Sequence, residues 1–239
     1  MQKYVILQAL HQLMLKDEAI KMKSANYVTG IAALVLSLIY ISAFIYYGAV
    51  WRFPTDSDAQ TKMTFIAEHQ TITAVFLFIT YILFGLVLSI LVAGTSRMLG
   101  NASERLKSVT NAFGYLWVGL VIASGMIAIG GVSYAIAIAQ TDAQKALDAW
   151  ALLMTIAQSI GGDNEIVGAV WVILVSVLAL KADVFSKKLN YLGITVGLAG
   201  VATITSVVIF KELFGVLQII WFFWLGLCFM RQPSEQAKV

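Results

Sequence analysis

The sequence predicts an all-α fold, a polytopic membrane helical bundle. It has six transmembrane helices, an N-terminal amphipathic helix and an interfacial helix on the outer face. Three observations carry this prediction. The composition is 60% hydrophobic and 12% charged, with a mean hydropathy of +0.85. A soluble domain carries roughly 25% charged and about 45–50% apolar residues, so lipid must take the place of water around this chain. The apolar residues gather in separate runs, most of them near the ~20 residues a crossing helix needs. The basic residues are sorted between alternate connecting segments, as the positive-inside bias requires.

Residues 1–25 form the first element. Ile6, Leu10, Leu13 and Met14 recur near helical spacing between Gln8, His11, Gln12 and Lys16, which predicts an amphipathic helix lying at the membrane surface. Polar residues break its apolar stretch and no small-residue cleavage site follows, so it does not read as a cleavable signal peptide. Residues 26–231 form the membrane domain and 232–239 a polar tail. The spans are expected at about 27–50, 71–93, 111–139, 164–181, 189–210 and 213–230. The last two are joined by little more than Lys211 and Glu212, so they form an antiparallel hairpin. Ala149 to Ile160 is apolar but too short to cross alone. With six spans and a cytoplasmic N-terminus, twelve Lys and Arg lie inside and four (Arg52, Lys62, Lys145 and Lys211) outside. A seventh crossing at 149–160 would undo that bias. Residues 142–160 are therefore expected as an interfacial or re-entrant helix on the outer face, with both termini cytoplasmic and the chain in a cell (inner) membrane.

Small residues indicate helix packing, because they let helix backbones approach closely in lipid. Gly193, Gly197 and Gly200 in the fifth span, and Gly119 among the glycines of the third, are the expected packing positions. Trp51, Phe53, Trp117, Trp221, Phe222, Phe223 and Trp224 are expected as interface anchors or lipid-facing bulk. Gln218 is expected to hydrogen-bond across helices. Ser124, Ser133 and Tyr134 either line a polar path or bond back to their own helix.

The densest polar cluster beside an apolar run is Asp163, Asn164 and Glu165, preceded by Gly161 and Gly162. One reading is a site for a small polar or cationic ligand. A second is a helix start, with Asp163 as N-cap and Glu165 in the first turn. A third is a discontinuous helix whose halves meet at the glycines, the device by which transporters build ion sites. Glu68, His69 and Lys211 share the outer face with this cluster. Glu68 and His69 could join a carboxylate in a metal site, but the chain has two histidines, His11 falls on the opposite face, and the plainer reading is a solvated helix entrance. No metal and no cofactor is expected. Nucleotide-binding and hydrolase motifs are missing, no charge falls well inside a span, and no basic tract with interleaved aromatics suggests nucleic acid. The single Cys228 allows no intrachain disulfide.

The run GGDNEIVGAVWVILVSVLALKADVFSKKLNYLGITVGLAG, residues 161–200, resembles the C-terminal half of a widespread bacterial family of six-span integral membrane proteins of unknown function. The likeness rests on a short basic loop followed by Leu192, Gly193, Gly197 and Gly200, on Ala25 to Leu34, and on the closing IIWFFWLGLCFMR. The family commonly has a proline in the loop between spans four and five, where this chain has Phe185 and Ser186. The resemblance implies six spans and brings no activity. The sequence thus favours a non-enzymatic structural, partner-binding or regulatory membrane component. Its partners are the lipid bilayer and a protein or a second copy of the chain. The alternative is a small-solute or ion transporter or channel using the outer polar cluster around Glu165.

Overall fold

The structure is a computed structural model, and it describes residues 2–100, 103–162, 165–205 and 207–231. Among these the chain is helical throughout, without strands. The order is α1 (Gln2–Ile45), α2 (Ala59–Glu68), α3 (Gln70–Leu77), α4 (Phe84–Met98), α5 (Glu104–Ala139), α6 (Ala143–Gly161), α7 (Ile166–Lys181), α8 (Lys187–Ala202) and α9 (Val208–Arg231). Two π-helical segments, Tyr46–Val50 after α1 and Phe78–Leu83 between α3 and α4, and a 3-10 turn, Thr203–Thr205 after α8, interrupt the regular helices.

Among the described residues, five helical runs are long and apolar enough to cross a membrane: His11–Val50, Gln70–Met98, Glu104–Ala139, Ala143–Lys181 and Val208–Arg231. The run expected as the fifth span, 189–210, is shorter than anticipated. Its regular part is the 16-residue α8, which ends in the 3-10 turn.

Six helices close into a ring in the order α1, α4, α5, α7, α8, α9 and back to α1. Every neighbouring pair is antiparallel. On α1, Gly30 faces Gly226 while Phe44, fourteen residues on, covers Gly215 of α9. Thr29 sits against Gly94 and Tyr40 against Phe84 of α4. Gly114 and Trp117 of α5 meet Trp171 and Gly168 of α7. Gly193 and Gly200 of α8 meet Trp221 and Phe214 of α9. This alternation brings Arg97, Arg105, Lys107, Lys181, Lys187, Lys188 and Arg231 to one end of the ring, where α1 also carries Lys16, Lys21 and Lys23. Arg52, Lys62, Lys145 and Lys211 lie at the other end, called the outer end below.

The ring is filled by aromatic side chains. Trp117, Trp171, Trp221, Phe84, Phe214 and Phe222 are all buried. Trp117, Trp221 and Phe222 are therefore core residues, not the interface anchors or lipid-facing bulk expected of them, whereas Phe223 is 52% exposed. Opposing glycines explain the inward placement. A Cβ on Gly168 would lie 2.5 Å from the Trp117 ring, one on Gly114 2.7 Å from Trp171 Nε1, and one on Gly193 2.6 Å from Trp221 Nε1. Each indole occupies volume that any larger residue opposite would fill.

The packing bears on three further expectations. The N-terminal segment is not a separate surface helix but continues into α1. No Gly or Pro occurs before Gly30, so nothing breaks the helix, which at 1.5 Å per residue is about 66 Å long. Residues 142–160, expected as an interfacial or re-entrant helix on the outer face, fall in α6, which packs on α5. Helix α6 runs antiparallel along the second half of α5, where Leu153 faces Gly131 and Gly161 faces Leu120 and Ser124. Ala128 and Ala135 of α5 and Ala146 and Ala157 of α6 are buried in the same small cluster, so the two backbones come close. Since α7 continues in the direction of α6 along α5, α6 adds no turn-back to the chain path. Finally, Gly119 faces outward, with nothing within 4 Å of the place its Cβ would take, while Gly193, Gly197 and Gly200 are buried between α7, α8 and α9.

At the outer end α2 packs beside the ring, against α5 and α6. Asp58 starts α2 by accepting the Thr61 N–H at 2.8 Å, and Asp142 starts α6 by accepting the Lys145 N–H at 3.0 Å. These backbone hydrogen bonds hold both carboxylates below the usual aspartate pKa.

Candidate functional site

A cavity of about 580 Å³ opens into the ring at the outer end. Much of its wall comes from places where the regular helices are interrupted. The π-helical segment after α1 supplies Tyr47 and Gly48, and the one before α4 supplies Thr80 and Tyr81. The interruption between α6 and α7 supplies Gly161, Gly162 and Glu165, and the start of α9 supplies Lys211, Glu212, Phe214 and Gly215. Ile39, Tyr40, Ala43 and Phe44 of α1 and Gln158 of α6 complete the sides, and Phe84, Trp117 and Val121 line the inner end. A π turn inserts an extra residue into the helix and rotates the side chains that follow, which is why such turns gather at functional sites.

Glu165 occupies the N-cap position of α7, and its carboxylate does not cap the helix. Its backbone N–H instead donates to Thr203 Oγ1 at 3.2 Å, and that hydroxyl donates to Gly200 O at 2.7 Å. The broken end of α7 is thereby tied to the broken end of α8, two interruptions at one level of the bundle. Gly161 and Gly162 let α5 and the π-helical segment before α4 come close to this break. A Cβ on Gly161 would meet Ser124 Oγ at 2.7 Å, and one on Gly162 would meet the Tyr81 hydroxyl at 2.6 Å. The positive end of α7 complements the carboxylate beside it.

Of the residues singled out from sequence, Glu165 and Lys211 line this cavity together, and Glu212 joins them. Asp163 and Asn164 lie outside the described residues. Glu68 and His69 sit elsewhere, at the joint of α2 and α3. His69 Nδ1 is 2.8 Å from Phe65 O, and its ring stacks on Phe65 at 4.1 Å and stands edge-on to Trp51. Its surroundings are aromatic packing. Among the described residues no group of three His, Cys, Asp or Glu side chains could hold a metal ion. Ser124 and Ser133 bond back to Leu120 O and Ile129 O, and Tyr134 is 58% exposed, so the described side chains of α5 form no polar path.

The cavity residues that sequence reasoning passed over are Tyr40, Tyr47, Thr80, Tyr81 and Gln158. Four of them stand inside apolar runs, where a lone Tyr or Thr has no local signal. Only the π segments and the ring closure bring them to one place. Below the cavity the path is closed by aromatic contacts: Phe84 with Trp117 at 5.8 Å, Trp117 with Trp171 at 5.8 Å and Trp171 with Trp221 at 6.0 Å between ring centroids.

No family model matches this chain, and neither the curated proteins nor the solved structures contain a match.

Proposed function

We propose that the chain is a non-enzymatic multi-pass membrane protein, a regulatory or partner-binding component that takes a small ligand into the outer-end cavity. The placing of Glu165 carries this reading: a carboxylate at the interrupted start of α7, on the wall of a cavity of about 580 Å³. Ligand sites are commonly about 300–1,000 Å³, mostly apolar, with a few placed polar groups. In this reading α1, α3 with α4, α5, α7, α8 and α9 are the six spans, and α2 and α6 pack against α5 at the outer end. The basic end faces the cytoplasm of a cell membrane by the positive-inside rule, which places both termini there. The six-span count agrees with the bacterial family the sequence resembles, and membership in that family is part of the same proposal.

A transporter is the second reading, favoured by the adjoining breaks of α6–α7 and α8 at one level. The aromatic closure beneath the cavity supports the binding role over it.

A thermal-shift screen of the detergent-purified protein against ions, lipids and small metabolites tests the proposal, with Glu165→Gln alongside. A ligand at about 100 times its Kd adds roughly 2.7 kcal/mol to the folded state. The expected result is a wild-type shift that Glu165→Gln removes. A screen in which neither protein shifts would return the cavity to mere packing.

A further inference from the structure

We propose that the cavity selects a monovalent organic cation with an apolar body, a dissolved solute and not a metal ion or an anion; this rests on the reading of the cavity as a ligand site. Charge is the first ground. Glu165 and Glu212 supply two carboxylates and Lys211 one ammonium, so among the described residues the lining carries a formal net charge of −1. The second ground is the wall itself. Tyr40, Tyr81, Phe84, Trp117 and Phe214 line the interior, and aromatic rings attract a cation most where water is excluded. Tyr40 stands edge-on to Phe84 at 5.5 Å, and Phe84 edge-on to Trp117 at 5.8 Å, so these rings are held by one another before any ligand arrives. Such a set suits a quaternary ammonium, which needs no hydrogen-bond donors or acceptors.

Other ligand classes fit less well. A bare divalent ion wants three or more ligating side chains, and the described residues gather no such group. An anion would meet two carboxylates for one ammonium. The volume of about 580 Å³ exceeds what an inorganic ion needs and suits a drug-sized molecule. The charged residues of the wall lie at the outer end of the ring, where a dissolved molecule enters from water.

The test is calorimetric titration of the full chain in an uncharged maltoside detergent with phenyltrimethylammonium, its uncharged carbon isostere tert-butylbenzene, and benzenesulfonate. The cation is expected to bind about tenfold or more tighter than either of the others. Glu165→Gln should weaken cation binding about tenfold while leaving tert-butylbenzene within about twofold. Glu212→Gln, at an exposed position, should weaken the cation in the same direction and serves if Glu165→Gln does not fold. Equal binding of the isostere or the sulfonate would overturn the choice of ligand class and leave the cavity a ligand site. If none of these probes bound and the broad thermal screen was also silent, the cavity reading would fall as well. Displacement of the cation by short-chain phosphatidylcholine, but not by choline, would overturn the dissolved-solute assignment in favour of a lipid headgroup.

Discussion

Gly226→Val is expected to destabilise the bundle by about 3 kcal/mol, the upper part of the usual range for overpacking a close contact. The seam between α1 and α9 is made by two glycines that face each other. A Cβ at Gly226 would stand 2.8 Å from the carbonyl oxygen of Gly30, and a Cβ at Gly30 would stand 2.8 Å from the carbonyl oxygen of Gly226. Both obstacles are backbone atoms, so neither helix can yield by turning a side chain, and one of them must move away. This seam also closes the ring, and Phe44 over Gly215 near its far end lines the cavity. Gly30→Val acts on the same contact, so the double variant should cost little more than either single change. Gly119→Ala is the control. It meets open space and removes a helix-interior glycine, so stability should stay level or rise by about 0.5–1 kcal/mol. Equilibrium unfolding in mixed micelles measures all four variants. A Gly226→Val protein as stable as Gly119→Ala would contradict the seam.

Gln218→Met is expected to raise stability by about 1–3 kcal/mol, the usual cost of a buried polar group left without a partner. Gln218 is fully buried on α9, and neither its amide nitrogen nor its oxygen has a hydrogen-bond partner among the described residues. The cross-helix hydrogen bond expected from sequence is not made among the described residues. The hydrogen bond between α1 and α9 at this level runs from Ser37 Oγ to Ile219 O, at 3.1 Å. Methionine has a similar shape and no such demand. Gln218 lies one turn deeper than Phe214 and Gly215, which line the cavity. Polar residues kept inside a membrane at a stability cost commonly serve a site. Loss of ligand affinity alongside the gain in stability would mark Gln218 as part of the cavity's machinery. A drop in stability would show that the amide has a partner.

Much of the architecture was legible because lipid imposes a coarse rule on sequence. Long apolar runs and sorted charges give helices and their alternation, and the ring's two ends carry the basic residues as that alternation requires. What the sequence left hidden is which face of a helix turns inward. The glycines of α5 show this plainly. Gly114, Gly125 and Gly131 meet neighbours while Gly119 and Gly130 do not, although all lie in one apolar run. Trp117 and Trp221 read as anchors because an indole suits the headgroup region. Only the glycines opposite, on other helices, assign them to the core. The continuity of α1 was legible after the fact, in the lack of any breaker before Gly30.

The site was half legible. Glu165 and Lys211 stand out as charges beside apolar runs, and the structure brings them to one cavity. Glu68 and His69 stand out for the same reason and pack elsewhere, because the sequence ranks exposed charges without placing them. The π segment at Phe78–Leu83 carries no Gly or Pro to announce it, and it is that segment which turns Thr80 and Tyr81 toward the cavity. Irregular backbone of this kind is set by tertiary packing, which no local pattern encodes.

The most direct test of the account is the side from which the cavity can be reached. Cys228 is the chain's only cysteine, so Cys228→Ser gives a silent background. Thr80→Cys then places one thiol on the cavity wall, and Ser108→Cys places one near the basic end of α5. In intact cells a membrane-impermeant thiol reagent is expected to label Thr80→Cys from outside, more slowly when a bound ligand is present, and to label Ser108→Cys only once the membrane is opened. Labelling of Ser108→Cys from outside, or of Thr80→Cys only after the membrane is opened, would contradict an outward-facing cavity in this bundle.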